Sequence, residues 1–257
     1  MMEINNIEPV IRNLIEVFFN AGKISLDLRN NGLIKQIKED RTPVTNGDIE
    51  VNNIILNNLK KITPTVPVIS EENGENKNLD LETFWLVDPI DGTYDYIHNK
   101  DEFTLNAGLI INKEAYAGII YAPAKNRMFY TFDKGSSFEL KNGKSKKLDC
   151  TKKNKINTVK FVSYSNKLKP EIEKIHKKLG VTEYIRMKSS LKFCVVAAGE
   201  YDGYVAEPRA YEWDIAAGHA ILEHAGGTVT DFDGNEILYG KKDLKNPSII
   251  LKNKNIL

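Results

Sequence analysis

The chain has 257 residues, of which 41% are hydrophobic, so it can bury a substantial core in one large domain or two smaller lobes. Its formal net charge of +1 gives no general reason to expect binding to nucleic acid or to a membrane surface. Two cysteines provide no disulfide framework, and neither a signal peptide nor an integral membrane segment is predicted, so a cytoplasmic location is expected.

The first half of the chain predicts helices packed on an antiparallel sheet. Apolar residues recur at helical spacing over 7–18 and again over 48–59. Strand-like runs with turn residues between them lie at 84–87, 103–112, 115–121 and 128–132. The segment 138–143 contains an Asn-Gly pair and suggests a further hairpin. Residues 1–150 are therefore predicted to form an α+β half.

The second half changes to an alternation of strands and helices, after a lysine-rich stretch at 141–155 that we interpret as a solvated connector. Strands are predicted at 158–163, 184–187, 204–205 and 228–230. Helices are predicted at 169–179, 190–198 and 214–225. Such alternation is typical of the α/β class, so residues 151–257 are predicted to form an α/β half.

Residues 85–93, with the sequence WLVDPIDGT, carry the strongest chemical signal. Asp88 and Asp91 follow an apolar strand directly, and the proline between them excludes helix, so both carboxylates are predicted on a stiff turn. Gly92 lets the backbone approach a ligand closely, and Thr93 adds a hydroxyl. Strand-end carboxylates with free backbone donors suit a hard cation that carries phosphate oxygens. A polar turn that caps the strand is the alternative.

Two further acidic positions lie at the ends of predicted elements. Glu71 and Glu72 follow a short apolar strand, and Asp214 opens a helix, with no basic residue beside them in the sequence. Taken singly, Asp214 could be a helix N-cap and the two glutamates a solvated corner. If they converge with Asp88 and Asp91, the carboxylates raise one another's pKa, and a bound divalent metal is the natural resolution.

Three segments together resemble the signature regions of the inositol monophosphatase-like superfamily: ISEE at 69–72, WLVDPIDGT at 85–93 and WDIAAGHAILEHAGG at 213–227. The combination is more specific than a lone glycine motif, and the similarity extends over nearly the whole chain. The resemblance implies a lithium-sensitive, metal-dependent phosphomonoesterase. It also implies a layered αβαβα sugar-phosphatase-like fold of the α/β class, with the active site between the two halves.

The resemblance further implies a set of metal ligands and Mg²⁺ as cofactor. Glu71, Asp88 and the backbone carbonyl of Ile90 would hold one ion. A second ion would be held by Asp88, Asp91 and Asp214. A third, more weakly bound ion would be coordinated by Glu71. One ion would activate the attacking water, and the other would neutralise charge on the leaving oxygen.

The same resemblance implies a relay of Thr93 and Asp48 that orients the attacking water, and a catalytic role for Glu71. The alternative for Asp48 is a first-turn helix residue stabilised by the helix dipole. Backbone donors at Gly92, Thr93 and Tyr94 are expected to bind the phosphate, as a helix N-terminus does.

Residues 189–194 and 212–220 resemble the CysQ-type 3′(2′),5′-bisphosphate nucleotidase branch of the family. In that branch a Ser-x-x-Lys pair, here Ser189 and Lys192, contacts the second phosphate of the nucleotide, a role that suits lysine as a point charge. An exposed helix lysine is the alternative. The chain departs from the branch at Ala206, where an arginine is usual, and Arg209 could substitute for it.

The predicted function is hydrolysis of a small phosphate ester, adenosine 3′,5′-bisphosphate, to AMP and phosphate by a monomer or homodimer. Glu207 keeps inositol monophosphatase as the alternative, because it falls where the inositol branch has a glutamate for substrate hydroxyls. A non-catalytic metal-binding or sensor protein is a hypothesis of another class. Thr93 and Asp48 argue against it, since cation binding alone needs neither residue.

Overall fold

A computed structural model of the chain describes residues 6–39, 41–73, 81–152 and 158–256. The helices are α1 (Glu8–Asn31), α2 (Asn46–Ile62), α3 (Thr93–Ile97), α4 (Pro170–Lys178), α5 (Leu191–Ala197) and α6 (Glu212–His224), and a 3-10 turn spans Pro123–Lys125. The strands of the first half are β1 (Lys35–Ile37), β2 (Pro43–Thr45), β3 (Val68–Ser70), β4 (Thr83–Asp91), β5 (Thr104–Ile111), β6 (Glu114–Ala122), β7 (Arg127–Thr131), β8 (Ser137–Lys141) and β9 (Lys144–Lys147). Those of the second half are β10 (Lys160–Ser163), β11 (Glu183–Arg186), β12 (Gly203–Ala206), β13 (Gly227–Thr230) and β14 (Ile249–Asn253).

The larger sheet has the strand order β3-β4-β5-β6-β7-β8-β9. Strand β3 runs parallel to β4, and every later pair is antiparallel. In the register of the parallel pair Ser70 lies opposite Val87, and the Glu71 N–H donates to the Val87 carbonyl over 3.0 Å. The acidic ends of both strands therefore meet at one edge of the sheet.

The smaller sheet has the order β11-β10-β12-β14-β13. Strand β10 runs parallel to both β11 and β12, as the predicted alternation of strands and helices requires. The last two strands, β13 and β14, are antiparallel to each other, and β14 is antiparallel to β12. A separate hairpin of β1 and β2 lies outside both sheets.

Helices cover both sheets and give the αβαβα layering that the resemblance implies. One face of the larger sheet buries the apolar side of α1 and α2, including Ile11, Phe18 and Ile55. Its other face shares a core with α5, α6 and the smaller sheet. Helix α4 covers the outer face of the smaller sheet through a small cluster around Phe161. The layered fold is confirmed, whereas a domain boundary near residue 150 stays a prediction.

Helix α6 lies very close to the larger sheet because two sheet residues facing it are glycines. A Cβ atom at Gly108 would lie 2.7 Å from the Ala216 Cβ, and one at Gly118 would lie 2.7 Å from the Ala217 Cα. Real side chains do not approach to that distance, so only glycine permits this helix–sheet separation. The first turn of α6, which carries Asp214, is positioned by the same contact.

The segment around Pro89 is a strand and not the predicted turn. Strand β4 continues through Asp88 to Asp91, with Asp88 opposite Asn106 and Asp91 opposite Thr104. The register shifts between the two aspartates, so the proline lies in an irregular part of the ladder, where its missing N–H is tolerated. The bulge, and not a turn, presents the two carboxylates.

Two other expectations change. The connector predicted at 141–155 contains the exposed strand β9, which pairs with β8 across a turn in which Asn142 and Gly143 both have positive φ, and residues 153–155 lie outside the described ranges. Strand β14 was not predicted, because the short apolar run at 249–251 has no periodicity that separates strand from loop.

Within the described ranges no helix has the length and apolar character that crossing a bilayer requires.

Candidate active site

Four carboxylates from three elements converge at the edge where β3 and β4 end. Asp88 and Asp91 come from the bulged end of β4, Glu71 follows β3, and Asp214 lies in the first turn of α6. The side chains of Asp88 and Asp214 lie close enough for each to influence the pKa of the other. The structure thus brings together the four acidic side chains that the sequence offered as metal ligands.

Burial and mutual repulsion raise the pKa values of these acids. Burial, then the charges of Glu71, Asp91 and Asp214, raises the pKa of Asp88 well above its usual range. Burial followed by the charges of Asp91 and Glu71 raises the pKa of Asp214 to about 8. The pKa of Glu71 rises to about 7, again mainly through burial. Such a cluster holds its full negative charge only when cations are bound.

Backbone N–H groups of the protein donate hydrogen bonds to two of these carboxylates. The Ser190 N–H donates to the Asp91 carboxylate, and the Tyr211 N–H donates to Asp214 Oδ2 over 2.7 Å. Asp214 is therefore the third residue of α6 in a capping arrangement. The alternative that Asp214 is the N-cap is wrong, because Tyr211 occupies that position.

Lys38 supplies a cation at the other side of the cluster, although the sequence places no basic residue beside Glu71. Its Nζ lies 3.5 Å from Glu71 Oε1 and 2.7 Å from Glu72 Oε1. Lys38 comes from the β1–β2 hairpin, so this ion pair joins the hairpin to the end of β3. The two glutamates are not the freely solvated corner that was the alternative for them.

An unpartnered oxygen atom in the cluster indicates whether these residues fit a metal ion. In the described part of the chain, Asp88 Oδ1 is buried and has no hydrogen-bond partner. Among the described residues, no three His, Cys, Asp or Glu side chains stand in an arrangement that could already hold a metal ion. An orphaned carboxylate oxygen within an all-oxygen donor set matches the preference of Mg²⁺, so the residues fit.

Thr93 and Asp48 lie together beside the cluster. The Thr93 hydroxyl is 3.4 Å from Asp48 Oδ1 and 3.2 Å from the Ile90 carbonyl oxygen. Asp48 Oδ2 accepts from the Thr45 N–H and hydroxyl over 2.7 and 2.6 Å, which completes a capping box at the start of α2. Burial raises the pKa of Asp48 to about 6. The relay geometry and the capping role coexist, one on each oxygen of Asp48.

The predicted phosphate donors form the tight connection from β4 into the short helix α3. Gly92 has φ +96°, a conformation that L side chains rarely adopt, and a Cβ there would lie 3.0 Å from the Glu102 carbonyl oxygen. Tyr94 is exposed, and its ring packs against His98 at a centroid distance of 4.1 Å and an interplanar angle of 32°. The His98 Nδ1–H donates to the Tyr94 carbonyl over 2.7 Å, which gives this histidine a local packing role.

The Ser189–Lys192 segment lies on the opposite wall. Lys192 is buried, and the interpretation of it as an exposed helix lysine is wrong, because α5 packs this side against the core. Its ammonium donates to the Ser189 carbonyl and lies 5.1 Å from the centroid of the Tyr204 ring. Burial lowers the pKa of Lys192 to about 8 despite the nearby charge of Asp91.

A cavity joins these walls to the carboxylates. Its lining includes Asp91 and Asp214, which are candidate metal ligands, and the candidate substrate residues Ser189, Lys192, Glu207 and Arg209. Ala206 also contributes to the lining, so the position where an arginine is usual does face the site. Glu207 forms an ion pair with Lys169 from the start of α4. All the predicted substrate residues on this side therefore share one concave surface with the candidate metal ligands Asp91 and Asp214.

Three residues near the site were missed in the sequence. Lys38 carries no local signal, because the ion pair with Glu71 depends on the hairpin. Tyr164 and Lys188 were also missed: the Lys188 Nζ lies 3.1 Å and the Arg209 Cζ 3.3 Å from the centroid of the Tyr164 ring. Lys188 directly precedes the Ser-x-x-Lys segment, and that adjacency was the one available signal.

Comparison with known proteins agrees with the geometry of the site. A family model for the inositol monophosphatase family matches residues 6–257. The 3′(2′),5′-bisphosphate nucleotidase CysQ of Buchnera aphidicola is 35% identical over 242 residues, which cover 92% of this chain and 90% of the relative. The CysQ of Escherichia coli K12 is 34% identical over 208 residues, which cover 80% and 83%.

A solved structure shows the same similarity in three dimensions. CysQ from Bacteroides thetaiotaomicron, a bacterial member of the inositol monophosphatase family, aligns with a TM-score of 0.80 at 30% identity and covers 93% of this chain and 95% of that one. These relatives are enzymes, which removes the non-catalytic sensor hypothesis. The chain belongs to the inositol monophosphatase family of metal-dependent phosphatases, on the branch of the CysQ-type sequences.

Proposed function

We propose that the protein is a Mg²⁺-dependent 3′(2′),5′-bisphosphate nucleotidase that converts adenosine 3′,5′-bisphosphate to AMP and phosphate. The observation that carries this proposal is the single cavity in which the acids Asp91 and Asp214 face the cations Lys192 and Arg209. Metal ions held by the acids would bind the phosphate that is cleaved. The cations on the opposite wall would bind the second phosphate, which stays on the product. The names of the CysQ relatives support the same substrate.

Glu71, Asp88 and the Ile90 carbonyl would hold one Mg²⁺, and Asp88 with Asp91 and Asp214 a second. A weaker third ion beside Glu71 would have to displace Lys38, which is paired with that carboxylate. Bound Mg²⁺ supplies acidification of water and neutralisation of negative charge on the departing oxygen. We also propose that lithium inhibits the enzyme, since a small hard cation suits an all-oxygen site.

The chain itself orients the attacking water in this scheme. The Thr93 hydroxyl can accept from a water and donate to Asp48, whose raised pKa of about 6 suits a group that takes up a proton near neutral pH. Water adds to phosphorus and passes a proton through Thr93 to Asp48, while the bond from phosphorus to the ribose 3′ oxygen breaks and that oxygen takes up a proton from solvent. Backbone N–H groups of Gly92, Thr93 and Tyr94 would bind the phosphate oxygens.

Inositol monophosphatase stays a second candidate because of Glu207. Its carboxylate lines the cavity and could accept hydrogen bonds from the hydroxyls of a sugar-like substrate. The ion pair with Lys169 weakens this candidate, since an inositol hydroxyl would compete with an ammonium for the same oxygen atoms. A nucleotide needs no such exchange, so the nucleotidase is preferred.

Product analysis tests the proposal. Adenosine 3′,5′-bisphosphate is incubated with the protein in Mg²⁺ or in excess chelator, and the products are separated by chromatography. We expect adenosine 5′-monophosphate and one equivalent of phosphate, with turnover lost in chelator. Release of the 5′ phosphate, or equal turnover in chelator, would contradict the proposal. A cytoplasmic location is proposed with it, supported by Cys150 and Cys194, which are both free and buried.

A further inference from the structure

Three buried polar side chains are hydrogen-bonded to one another beside the acidic cluster: Thr104 and Asn106 of β5, and Ser190 at the start of α5. The Ser190 hydroxyl donates to Asn106 Oδ1 over 2.6 Å, and the Thr104 hydroxyl lies 2.8 Å from Ser190 Oγ. Because the Ser190 proton is directed to Asn106, the Thr104 hydroxyl is the donor in the second contact. Burying such groups costs free energy unless they are paired, and the function proposed so far uses neither Thr104 nor Asn106.

The register of the larger sheet places Thr104 and Asn106 beside the acids of β4. In the antiparallel ladder Asp88 lies opposite Asn106, and Asp91 lies opposite Thr104. Residues directly opposite each other direct their side chains to the same face, with Cβ atoms about 4.5–5.5 Å apart. That face packs against α5 and α6, since Leu86, two residues before Asp88, belongs to the core shared with both helices. Strand β5 thus supplies polar neighbours to two candidate metal ligands, although it contains no acidic residue.

Ser190 connects this strand to Asp91. Its N–H donates to the Asp91 carboxylate, while its side chain is held by Thr104 and Asn106. The preceding residue, Ser189, has φ +53°, a conformation that a serine adopts when neighbouring contacts hold it. If the side-chain contacts of Ser190 were removed, the N–H that orients Asp91 would lose its fixed position. The orientation of Asp91 therefore depends on two residues of β5.

Asn106 also carries an unpartnered donor opposite an unpartnered acceptor. Within the described residues, Asn106 Nδ2 and Asp88 Oδ1 are both buried and have no hydrogen-bond partner. Nearly all buried polar atoms in folded proteins are hydrogen-bonded. Two unpartnered atoms on opposite residues of one ladder therefore indicate a contact that is completed when the site is occupied. Donors of this kind orient carboxylates that bind metal ions.

We propose that Thr104 and Asn106 are positioning residues for the metal site: through Ser190 they fix Asp91, and the Asn106 amide donates to Asp88 when the ions are bound. The inference rests on the proposed function only for the identity of the ion, Mg²⁺. Both residues act through the carboxylates and touch neither the substrate nor the reacting atoms. They determine how tightly the site holds its ions, and not which ester is cleaved.

Calorimetric titration of the full chain with Mg²⁺, in the absence of substrate, tests the positioning role. We expect Thr104→Val and Asn106→Leu each to weaken Mg²⁺ binding about ten- to a hundredfold, the usual effect of losing a residue that orients metal ligands. Thr104→Ser keeps the hydroxyl and should restore binding to nearly that of the unaltered protein. Unchanged dissociation constants in Thr104→Val and Asn106→Leu would overturn the proposal.

Thr131→Val is the matched control. Thr131 is also a fully buried threonine of the larger sheet, but its hydroxyl lies 2.7 Å from Nδ1 of His224, at the opposite end of α6 from Asp214. This variant should bind Mg²⁺ as the unaltered protein does, even if its Tm in chelator is lower. A loss of Mg²⁺ affinity equal to that in Thr104→Val would reveal a general effect of disturbing the sheet and would overturn the positioning role.

Ser190→Ala tests the same link with a smaller change, because it removes the hydroxyl and keeps the N–H that donates to Asp91. We expect it to weaken Mg²⁺ binding as much as Thr104→Val does, and this decides the matter even if Asn106→Leu does not fold. Mg²⁺ affinity unchanged in Ser190→Ala would show that the β5 residues do not act through Ser190.

Nuclear magnetic resonance tests the contact between Asn106 and Asp88. The side-chain N–H signals of Asn106, identified by their loss in Asn106→Leu, should shift downfield when Mg²⁺ is added, because hydrogen bonds to a carboxylate are short and strong. Signals that do not move on Mg²⁺ addition would overturn the proposed donation to Asp88.

Phosphate release from adenosine 3′,5′-bisphosphate supplies a second signature. Thr104→Val should lose activity at low Mg²⁺ and regain most of it at high Mg²⁺, with KM for the ester unchanged. A raised KM that persists at saturating Mg²⁺ would place Thr104 in substrate binding and overturn its positioning role. Because calorimetry with Mg²⁺ needs no substrate, the positioning role can hold when another ester is preferred, and it can fail while the nucleotidase assignment stands.

Discussion

Asp91 illustrates how single residues of this site combine structural and chemical demands. The bulge in β4 turns its carboxylate toward Asp88 and Asp214, and the Ser190 N–H fixes its orientation. Burial raises the pKa of Asp91, while Lys192 and the Ser190 N–H act against the rise. A carboxylate under these opposing influences is poised to ionise once a cation arrives.

Asp91→Asn is expected to lower kcat at least about a hundredfold while leaving the protein folded, because it removes a negative charge from the proposed second metal site. Steady-state phosphate release at saturating Mg²⁺ and far-ultraviolet circular dichroism measure the two effects. Glu50→Gln removes an exposed acid from α2 and serves as the charge control. Retention of most of the activity in Asp91→Asn would contradict the two-ion arrangement.

Thr93 tests the relay in isolation from the metal ligands. Thr93→Val keeps the shape of the side chain and removes the hydroxyl that is 3.4 Å from Asp48, so kcat should fall about a hundredfold with little change in Mg²⁺ affinity. Thr93→Ser keeps the hydroxyl and should keep most of the activity. Equal activities of the valine and serine variants would show that the hydroxyl does not orient the water.

The sequence revealed the acids of the site and the basic residues Lys192 and Arg209, but not Lys38 or Tyr164. Asp88, Asp91 and Asp214 stand at the ends of apolar runs, a pattern that the order of residues alone displays. Lys38 and Tyr164 meet the site only through tertiary contacts between distant segments, so no local pattern of their own residues identifies them. The burial of Lys192 also depends on which face of α5 packs inward, and the motif alone does not determine it.

At the scale of elements, the start of α2 joins helix capping to chemistry. Thr45 accepts from the Gly47 and Asp48 N–H groups, and Asp48 accepts in return from Thr45. The box fixes the Asp48 carboxylate in the rotamer that places its other oxygen near Thr93. Capping at this helix therefore determines the geometry of the proposed relay.

Thr45→Ala should reduce the free energy of unfolding by about 1 kcal/mol, the usual cost of losing an N-cap side chain. Because Asp48 then loses the hydroxyl that holds it, kcat should fall as well. Denaturant unfolding and phosphate release on the same variant measure both quantities. A loss of stability with unchanged kcat would separate the capping box from the relay.

Helices and strands with a clear hydrophobic periodicity were predictable from the sequence. Strands that form only through pairing with other strands were not. The helical face of α1 is visible from its apolar spacing, and Pro9 near its start fits the first turn. Strand β4 was predicted to stop before Asp88, because Pro89 was interpreted as part of a stiff turn, whereas the irregular register between Asp88 and Asp91 accommodates it within the strand. Strand β14 exists through its pairing with β12 and β13, which is a property of the assembled sheet.

For the whole molecule, the layered architecture followed from the family resemblance, while strand order required coordinates. The parallel β3–β4 pair is the detail that matters for function, since it brings Glu71 beside Asp88. Nothing in the alternation of apolar residues distinguishes a parallel neighbour from an antiparallel one. The close approach of α6 at Gly108 and Gly118 likewise appears only once the helix is placed on the sheet.

The acidic cluster predicts how stability depends on pH and metal. In the folded, metal-free protein the pKa values of Glu71 and Asp214 are about 7 and about 8, whereas the unfolded chain releases these protons near pH 4. The folded state binds more protons between these limits, so stability falls as pH rises from about 4 to 8. Mg²⁺ favours the ionised carboxylates, and its stabilising effect should grow over the same range.

Thermal denaturation at several pH values, with Mg²⁺ and with chelator, measures this linkage. The Tm difference between the two conditions should be largest near pH 8 and small near pH 5. Asp214→Asn should flatten the pH dependence in chelator and reduce the response to Mg²⁺. A metal-free Tm that rises from pH 5 to pH 8 would contradict the raised pKa values of the cluster.

The most direct test of the central claim is a comparison of kcat/KM across four phosphate esters in Mg²⁺. The panel consists of adenosine 3′,5′-bisphosphate, its 2′,5′ isomer, inositol 1-phosphate and fructose 1,6-bisphosphate. The cations on the cavity wall predict that adenosine 3′,5′-bisphosphate exceeds inositol 1-phosphate by about tenfold or more, the value of a charge-assisted contact to the second phosphate. A higher kcat/KM for inositol 1-phosphate would contradict the nucleotidase assignment and favour the role of Glu207 as a ligand of sugar hydroxyls.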